Sequence, residues 1–368
     1  MNSNAISSGL LLDATRFESE LDGKPVRLFT LRNATGMVVA ITNYGARIEQ
    51  ILVPDREGRF DDVVLGYDSI AGVVGGSASM GAFLGRYAGR LGNARFTLAG
   101  TTHQLAANNG QHCLHGGLRG SRFRVFEASQ RSACSVELTY VFADGEEGFP
   151  GTLALRLVYS LTDADELVLD YEAVAIDKPT VASFTTHAFF NLNGESSGST
   201  LRHEVTICAD RYFAMTADLV ATGDLQLVND TLFDFRQPVL LASRVRGLSP
   251  LSGASLPGYD SCYLVSPCAA TGDLAFCARI SAPQCGRVME VWSTEPAMQF
   301  YTGLSPQEKL PGGPGKNGQA YFQQQGLCLE PQGYPNAPNC AAFPSAIYEP
   351  GQSRRGRTVY RFSTQPDR

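Results

Sequence analysis

The sequence predicts an all-β protein, built as a single large antiparallel β-sandwich with few short helices. Three observations support this prediction. Apolar and polar residues alternate with a period of two in many short segments, turn-forming residues separate those segments, and helical periodicity is rare. The 368 residues include 38 Gly and 19 Pro, which favours turns over long helices. With 43% hydrophobic residues, a chain of this length can bury a large core.

The first strands are predicted at residues 26–31 and 37–42, where the alternation is short but regular. Residues 95–98 and 101–105 are predicted to form a hairpin, because an Ala-Gly turn separates two alternating segments. The N-terminal part of the chain is therefore expected to consist of short strands joined by tight turns.

The clearest strand pair lies in the middle of the chain. Leu153, Leu155 and Leu157 alternate with small or polar residues, and after a turn at residues 162–165 the same pattern resumes at Leu167. This pattern indicates two neighbouring antiparallel strands with one face towards a core. Further strands are predicted at residues 287–292 and 298–302.

Helical pattern is confined to residues 69–74 and 238–245, each long enough for one or two turns. Residues 305–318 are rich in Gly and Pro and are predicted to form a long surface loop, after which strand pattern resumes at Leu327. Because no change in composition marks a boundary and no internal repeat is present, residues 1–368 are predicted to form one domain.

Charge and cysteine content argue against several classes of protein. The net charge is −6, so neither nucleic acid nor an anionic membrane is expected as a partner. No stretch of 18 apolar residues indicates a membrane span, and residues 1–23 lack the pattern of a secretion signal. The nine cysteines contain no C-x-x-C pair, which favours mostly buried, reduced thiols and a cytoplasmic location.

The five histidines are the first candidates for chemistry. His112 and His115 flank Cys113, but further ligands at zinc-binding spacing are missing, so no metal is expected there. His115 precedes two glycines, which suits close approach of a ligand and equally an ordinary turn. His187 ends an apolar segment and fits a hydrogen-bonded core histidine as well as a catalytic one.

Glu330 follows an apolar strand, where a carboxylate must face either solvent or a polar site. Asp260 fits a turn and Arg90 fits a surface charge when each is taken alone. A Ser-His-Asp triad lacks its G-x-S-x-G turn, and nucleotide-binding glycine motifs are incomplete. What remains is a His–carboxylate pair with an Arg and a second His, which suits proton transfer on a neutral polyol.

Nine short motifs then occur in a characteristic order through most of the chain. They are Asn43-Tyr-Gly-Ala46, Asp62-Val-Val-Leu-Gly66, Gly85-Arg-Tyr-Ala88 with Arg90, Leu114-His-Gly-Gly117, Asp144-Gly-Glu-Glu-Gly-Phe-Pro-Gly151, Thr186-His187 leading to Phe190-Asn-Leu192, Gly258-Tyr-Asp260, Gln299-Phe-Tyr-Thr-Gly303, and Cys328-Leu-Glu330 with Gln332 and Pro335. Each motif is weak alone, but together they resemble the aldose 1-epimerase (galactose mutarotase) family.

The resemblance implies a fold and an activity. The implied fold is the galactose mutarotase-like supersandwich, a single large β-sandwich. The implied reaction interconverts the α- and β-anomers of free aldoses such as galactose and glucose by acid/base ring opening and closure, without cofactor or metal. By resemblance, Glu330 is the general base on the anomeric hydroxyl and His187 is the general acid on the ring oxygen.

The remaining site residues are also implied by the resemblance. Arg90 and His115 correspond to residues that hydrogen-bond near the ring oxygen, and Asp260 corresponds to the residue that anchors sugar hydroxyls. Glu295 and Gln299 are expected to line the site. The partner is therefore a small aldose, and the protein is expected to be a monomer or homodimer.

Two positions depart from the family pattern. Gly89 stands where the family usually has Asn, so a sugar hydroxyl loses a side-chain partner unless Asn93 or a water replaces it. Asn336 stands where the family usually has Asp, which removes a charge. Two alternatives stay open. A non-catalytic sugar-binding sandwich should lack the base or the acid, and a hexose-phosphate 1-epimerase should have several cations at the rim, for which Arg86 and Arg119 are candidates.

Overall fold

The computed structural model describes residues 8–76, 79–266, 269–307 and 309–366. Residues 1–7, on which part of the expectation about a secretion signal rests, lie outside the described residues. Antiparallel sheets dominate the architecture, as the alternation predicts.

The largest sheet has ten strands in the described part of the chain. Along the main path of this sheet, the neighbouring strands are Glu127–Ser132, Ser135–Phe142, Leu153–Leu161, Glu166–Ala175, Ser353–Thr364, Arg287–Ser293, Leu274–Ser281, Glu204–Ile207 and Val239–Leu240, with Ala270–Thr271 paired beside Leu274–Ser281.

Two smaller sheets complete the main framework. The five-stranded sheet has the order Ala221–Leu227, Arg211–Met215, Asp260–Leu264, Ala297–Tyr301 and Cys328–Gln332. The four-stranded sheet has the order Leu28–Arg32, Val38–Thr42, Arg47–Pro54 and Phe60–Asp62. Side chains from all three sheets share one apolar core, as Leu155, Phe300 and Ile51 illustrate, and this shared core makes the molecule a β-sandwich.

Short ribbons and helices connect these sheets. The two-stranded ribbons pair Ser19–Leu21 with Lys24–Val26, Phe83–Leu84 with Thr185–Thr186, Arg90–Leu91 with Cys113–Leu114, Arg95–Leu98 with Thr101–Gln104, Thr180–Val181 with Ile347–Tyr348, and Lys309–Pro314 with Ala320–Phe322. The α-helices of the described residues are Ile70–Gly75 and Leu241–Val245. The 3-10 helices are Ser8–Leu10, Ala14–Phe17, Gly92–Ala94, Ser121–Phe123, Glu146–Gly148, Thr200–Arg202, Lys316–Gly318 and Ala337–Asn339. None of the helices described here has the length and apolar character needed to cross a bilayer.

The strand pair predicted most clearly is confirmed. Leu153, Leu155 and Leu157 are each at most 2% exposed, whereas the residues between them are less buried. Their strand pairs with Glu166–Ala175 in continuous antiparallel register. The alternation of apolar and polar residues in these strands therefore reflects a sheet that packs one face against the core. The hairpin near residue 100 and both short helices are also confirmed.

Two segments differ from expectation. Residues 305–318 are not simply a loop, because Lys309–Pro314 pairs with Ala320–Phe322 in a ribbon with an irregular register. The strand Ser353–Thr364, which no sequence pattern indicated, lies inside the ten-stranded sheet. Its arginines obscure the alternation, since Arg357 and Arg361 lie on the outer face and pair with carboxylates of the neighbouring strand.

Candidate active site

A cavity of about 220 Å³ lies beside the five-stranded sheet. Its lining includes six of the seven site residues predicted from the sequence, namely Arg90, His115, His187, Asp260, Gln299 and Glu330. These residues come from six separate motifs, so only the folded chain brings them together. Concave sites with a few convergent polar groups are typical of small-molecule pockets.

The five-stranded sheet provides one wall of the cavity because its two faces differ. Met298, Phe300 and Leu329 belong to the shared apolar core. Gln299 and Glu330 alternate with these residues and are directly opposite each other in neighbouring strands. Because side chains alternate across a strand, the polar pair faces away from the apolar core.

His187 and Glu330 form a buried pair of titratable groups in the lining of the cavity. His187 Nε2 lies 3.7 Å from Glu330 Oε1, and the two residues are 8% and 2% exposed. Burial raises the pKa of Glu330 well above its usual value, and the charge of Asp260 adds to this effect. Burial lowers the pKa of His187 to about 3. Both shifts disfavour charge, so burial favours the arrangement in which the carboxyl group holds the proton and the imidazole is neutral.

His115 lies against this pair and is held in a defined tautomer. Its Nδ1 accepts a hydrogen bond from the Gly89 backbone N–H at 3.2 Å, so the ring proton of the neutral imidazole is on Nε2. The rings of His115 and His187 meet edge to face with centroids 5.4 Å apart. Burial, followed by the charge of His187, lowers the pKa of His115 well below its usual value. His115 is therefore a neutral hydrogen-bond donor.

The glycine after His115 is required by packing. Gly116 has φ of +80°, and a Cβ there would lie only 2.1 Å from the carbonyl oxygen of Gly85. Any side chain would displace this backbone contact. The His-Gly-Gly motif thus fixes how the His115 loop approaches the segment that leads to Arg90.

Arg90, Asp260 and Gln299 form a connected polar group on another part of the wall. Arg90 Nε donates to Asn109 Oδ1 at 2.9 Å, and its NH1 lies 3.7 Å from Asp260 Oδ2. Gln299 Nε2 donates to Asp260 Oδ1 at 2.5 Å. These contacts hold the Asp260 carboxylate in place. Together the three side chains offer hydrogen-bond donors and acceptors that can bind sugar hydroxyl groups.

The structure corrects the expectation for Glu295. This residue does not line the cavity with Glu330; it lies in a separate cavity, where it accepts a hydrogen bond from the Tyr171 hydroxyl at 2.5 Å. The reason is the end of the strand. Glu295 lies in the bend between Arg287–Ser293 of the ten-stranded sheet and Ala297–Tyr301 of the five-stranded sheet, so its side chain does not follow the alternation that places Gln299.

Most of the residues connected with the two departures from the family pattern, or with the hexose-phosphate alternative, lie outside the cavity that contains Glu330. Asn93 and Asn336 line a neighbouring surface depression and not the cavity with Glu330. Arg86 is 2% exposed, and its guanidinium donates to the backbone carbonyl of Gly151. Arg119 is exposed and pairs with Asp22 at the surface. Gly89 does line the cavity, and a Cβ there would meet only the Gln332 amide, at 3.9 Å.

Several lining residues were missed by sequence reasoning. Arg122 and Ser79 border the cavity near the histidines, and Leu310 and Pro311 reach it from the ribbon of residues 309–322. Arg122 lies five residues after the His-Gly-Gly motif, and this closeness to a predicted site residue is the one feature of the sequence that could have indicated its place in the cavity.

One group of atoms could also hold a metal ion. The ligand atoms of His187, Cys328 and Glu330 all lie within 4.8 Å of one another, and Cys328 Sγ lies 3.5 Å from His187 Nδ1. Burial, with the charges of Glu330 and Asp260, raises the pKa of the Cys328 thiol well above its usual value. This opposes the thiolate form that a zinc site uses. The same histidine and carboxyl group are suited to exchanging protons with a bound hydroxyl.

Comparisons with known proteins agree with this geometry. The family model described as Aldose 1-epimerase matches residues 27–361. The chain is 37% identical over 325 residues to the galactose mutarotase of Bos taurus, covering 88% of this chain and 91% of that protein. It is 33% identical over 344 residues to the aldose 1-epimerase of Escherichia coli strain K12, covering 93% and 96% of the two chains.

Solved structures show the same fold. An aldose epimerase homologue from C. elegans superposes with a TM-score of 0.84 at 26% identity, covering 92% of this chain and 99% of that one. A galactose 1-epimerase from Lactobacillus acidophilus has a TM-score of 0.78 at 23% identity, covering 95% and 97%. The match of nearly the whole chain agrees with the motif order and the observed sandwich, and this protein belongs to the aldose 1-epimerase family.

Proposed function

We propose that the protein is an aldose 1-epimerase, an isomerase that interconverts the α- and β-anomers of free aldoses such as galactose and glucose. The observation that carries this proposal is the buried pair of His187 and Glu330, with Nε2 and Oε1 3.7 Å apart in a cavity lined by hydroxyl-binding groups. An acid and a base held this close can act on two oxygens that share one carbon atom, as the anomeric hydroxyl O1 and the ring oxygen O5 do.

In the proposed mechanism, Glu330 accepts the proton of O1 while His187 donates a proton to O5. The C1–O5 bond breaks, C1 and O1 form an aldehyde, and O5 becomes a hydroxyl. Rotation about C1–C2 presents the other face of the aldehyde. Ring closure then returns the proton of O5 to His187 and the proton of Glu330 to O1. The neutral donor His115 and the cation of Arg90 line the same cavity and are proposed to stabilise charge that develops near O5.

Burial of the pair favours the ring-opening half of this cycle. Ring opening leaves Glu330 protonated and His187 neutral, which is the state that burial favours, as the directions of both pKa shifts indicate. Before ring opening, Glu330 is a carboxylate and His187 is protonated, so the pair then holds one proton, as it does after ring opening. One proton thus moves within the pair and the substrate, and no exchange with solvent is required.

Polarimetry tests the activity directly. When α-D-galactose or α-D-glucose is freshly dissolved, the purified protein should speed the approach to equilibrium rotation well above the rate in buffer. Rates with xylose and arabinose then measure what the open space at Gly89 does to substrate preference, since a Cβ there meets only the Gln332 amide. If no aldose reaches equilibrium faster than in buffer, the proposed activity is wrong, and calorimetric binding without turnover would indicate a sugar-binding protein.

Asp260→Asn should weaken sugar binding and alter the pH dependence. Loss of a charged hydrogen-bond acceptor should raise KM roughly ten- to a hundredfold. Asp260 also helps to raise the pKa of Glu330. Without that charge the pKa of Glu330 falls, so the alkaline decline of kcat/KM should move to lower pH.

Steady-state kinetics across pH check this prediction, with Asp22→Asn as the matched control. Asp22 is an exposed aspartate that pairs with Arg119 away from the cavity. An Asp260 variant with the KM and pH profile of the control would exclude a role for this carboxylate.

We further infer that residues 1–368 act as one domain and that the protein works in the cytoplasm as a monomer or homodimer, without nucleic-acid or membrane partners. The family match over residues 27–361 supports one domain. The net charge of −6 argues against nucleic-acid and anionic membrane partners. Seven cysteines of the described residues are free and Cys208 is disulfide-bonded, so mostly reduced thiols support the cytoplasm. Light scattering of the purified protein measures the assembly state, and a larger oligomer would contradict it.

A further inference from the structure

A second arginine side chain, besides Arg90, lines the cavity. Arg122 belongs to the 3-10 helix Ser121–Phe123 and follows the His115 loop. Its NH1 donates to the Ser79 hydroxyl at 2.7 Å, and both residues line the cavity with His187. Its Nε is buried and lacks a hydrogen-bond acceptor. The proposed chemistry on O1 and O5 does not use this guanidinium.

Arg122 differs from its neighbours because no carboxylate of the described residues pairs with it. Arg90 has Asp260 at 3.7 Å, and Arg124 has Glu146 at 2.8 Å. A second buried cation lies close to Arg122, since Arg47 NH2 donates to the Arg122 carbonyl oxygen at 3.1 Å. Burial and Arg47 lower the pKa of Arg122 to about 10, so it is still charged at neutral pH. The carboxyl group of Glu49 acts on Arg47, as the opposite effects of the two groups on each other's pKa indicate. Arg122 is therefore the cation on this side of the cavity that lacks a carboxylate partner among the described residues, and an anionic ligand could offset its charge.

The location of Arg122 indicates which substituent of a bound sugar it would contact. Ser79, which accepts a hydrogen bond from Arg122, lies two residues before Gly81, whose backbone N–H donates to the His187 carbonyl oxygen at 2.9 Å. The charge of Arg122 also lowers the pKa of both His115 and His187. Arg122 therefore borders the histidine side of the cavity. In an aldohexose bound with O1 at Glu330 and O5 at His187, the neighbour of O5 is C5, which carries C6. The substituent at C6 consequently lies on the histidine side, towards Arg122 and Ser79.

We propose that Arg122 and Ser79 determine specificity for an anionic group at C6, and that hexuronic acids such as galacturonate are substrates of this cavity. This inference rests on the proposed function, because it uses the same orientation of O1 and O5. A single guanidinium matches one carboxylate through two parallel hydrogen bonds, whereas a phosphate dianion commonly uses several cations. The C6 carboxylate takes no part in ring opening, so the bonds broken and formed are unchanged.

Exchange spectroscopy by NMR provides the test, because it measures anomer interconversion at equilibrium for every sugar. The wild-type protein is compared with galacturonate and galactose at pH 7 and equal ionic strength. We expect kcat/KM for galacturonate to exceed that for galactose by at least about tenfold, the size of a charge-assisted hydrogen bond. Arg122→Met should lower this ratio at least tenfold, and Arg122→Lys should lower it less, because the charge remains but the fork is lost.

Arg119→Met is the matched control, since Arg119 is an exposed arginine paired with Asp22 outside the cavity. This variant should keep the wild-type ratio. If Arg122→Met has no measurable turnover, the test uses the ratio of kcat/KM for galacturonate to that for galactose in the other two proteins. The inference then requires a high ratio in the wild-type protein and a lower ratio in Arg122→Lys.

The outcomes separate this inference from the proposed function. Rapid exchange of galactose with slower exchange of galacturonate overturns the inference and leaves the epimerase proposal intact. An unchanged ratio in Arg122→Met also overturns it. If glucose 6-phosphate exchanges faster than galacturonate, with the same dependence on Arg122, then Arg122 recognises a phosphate group and the proposal of a C6 carboxylate is wrong. If no sugar exchanges faster than in buffer, the proposed function fails first.

Discussion

Glu330→Gln should lower kcat for mutarotation by at least about a hundredfold, because the amide cannot accept the proton of the anomeric hydroxyl. The variant keeps the size of the side chain and its place opposite Gln299, so the cavity should keep its shape. Polarimetry with α-D-galactose measures the rate. Turnover close to that of the wild-type protein would require a different base.

The same variant should be at least as stable as the wild-type protein at alkaline pH. Burial raises the pKa of Glu330 above its unfolded value, so its contribution to stability is present below the unfolded pKa and is lost as pH rises through the folded pKa. Glutamine does not ionise and avoids this loss. Thermal unfolding at pH 5 and pH 8 should therefore show a smaller decrease in Tm for the variant, which separates loss of the base from loss of the fold.

Glu49 offers a matched control for Glu330. It is fully buried, burial raises its pKa to about 7, and it does not line the cavity. Glu49→Gln should change stability with pH in the same direction while leaving kcat within about threefold, because no acid–base step uses it. Equal losses of activity in the two variants would show that both act only through the fold.

His187→Gln should cost a similar factor, roughly a hundredfold or more in kcat, because the proton donor to the ring oxygen is lost. The pH profile should change as well. In the wild-type protein the pair keeps one proton between the pKa of His187, about 3, and the raised pKa of Glu330. Activity should therefore decline below the first and above the second. The variant should lose the decline that belongs to His187.

His203→Gln is the matched control for this prediction. His203 is fully buried, and burial lowers its pKa to about 4, yet it lies in the fold interior, where its Nε2 accepts from the Leu192 backbone N–H at 3.0 Å. This variant should lower Tm and keep the kcat of the folded enzyme. If both histidine variants lose only stability, His187 is a core residue of the kind that the sequence left open.

The fold was predictable where local pattern and burial coincide. The strands Leu153–Leu161 and Glu166–Ala175 alternate because one face meets the core, and the sequence records that directly. The strand Ser353–Thr364 was missed although it lies within the same sheet. Its arginines look like a solvated segment until the carboxylates of the neighbouring strand, far away in sequence, are placed beside them.

The site shows the same division. Six predicted residues line one cavity, but Glu295 lies in another, because it belongs to the bend where the chain passes from one sheet to another, and closeness to Gln299 in the sequence does not reveal that change. Arg122 was missed because an arginine without a carboxylate partner is recognised only when its surroundings are known. A single motif carries no information about the charges that other segments bring to it.

The sequence by itself predicted the β-sandwich class from alternation, and the order of its motifs carried the resemblance to the family, which in turn implied the proposed acid and base. Alternation, motif order and residue type can all be read along the chain without its three-dimensional contacts. Only the tertiary structure decided which groups share the cavity, that burial disfavours charge on both His187 and Glu330, and that Arg122 is left without a carboxylate partner among the described residues. The reason is physical. Distances and desolvation come from contacts between segments that are far apart in the sequence, and they set the protonation and charge of a buried group.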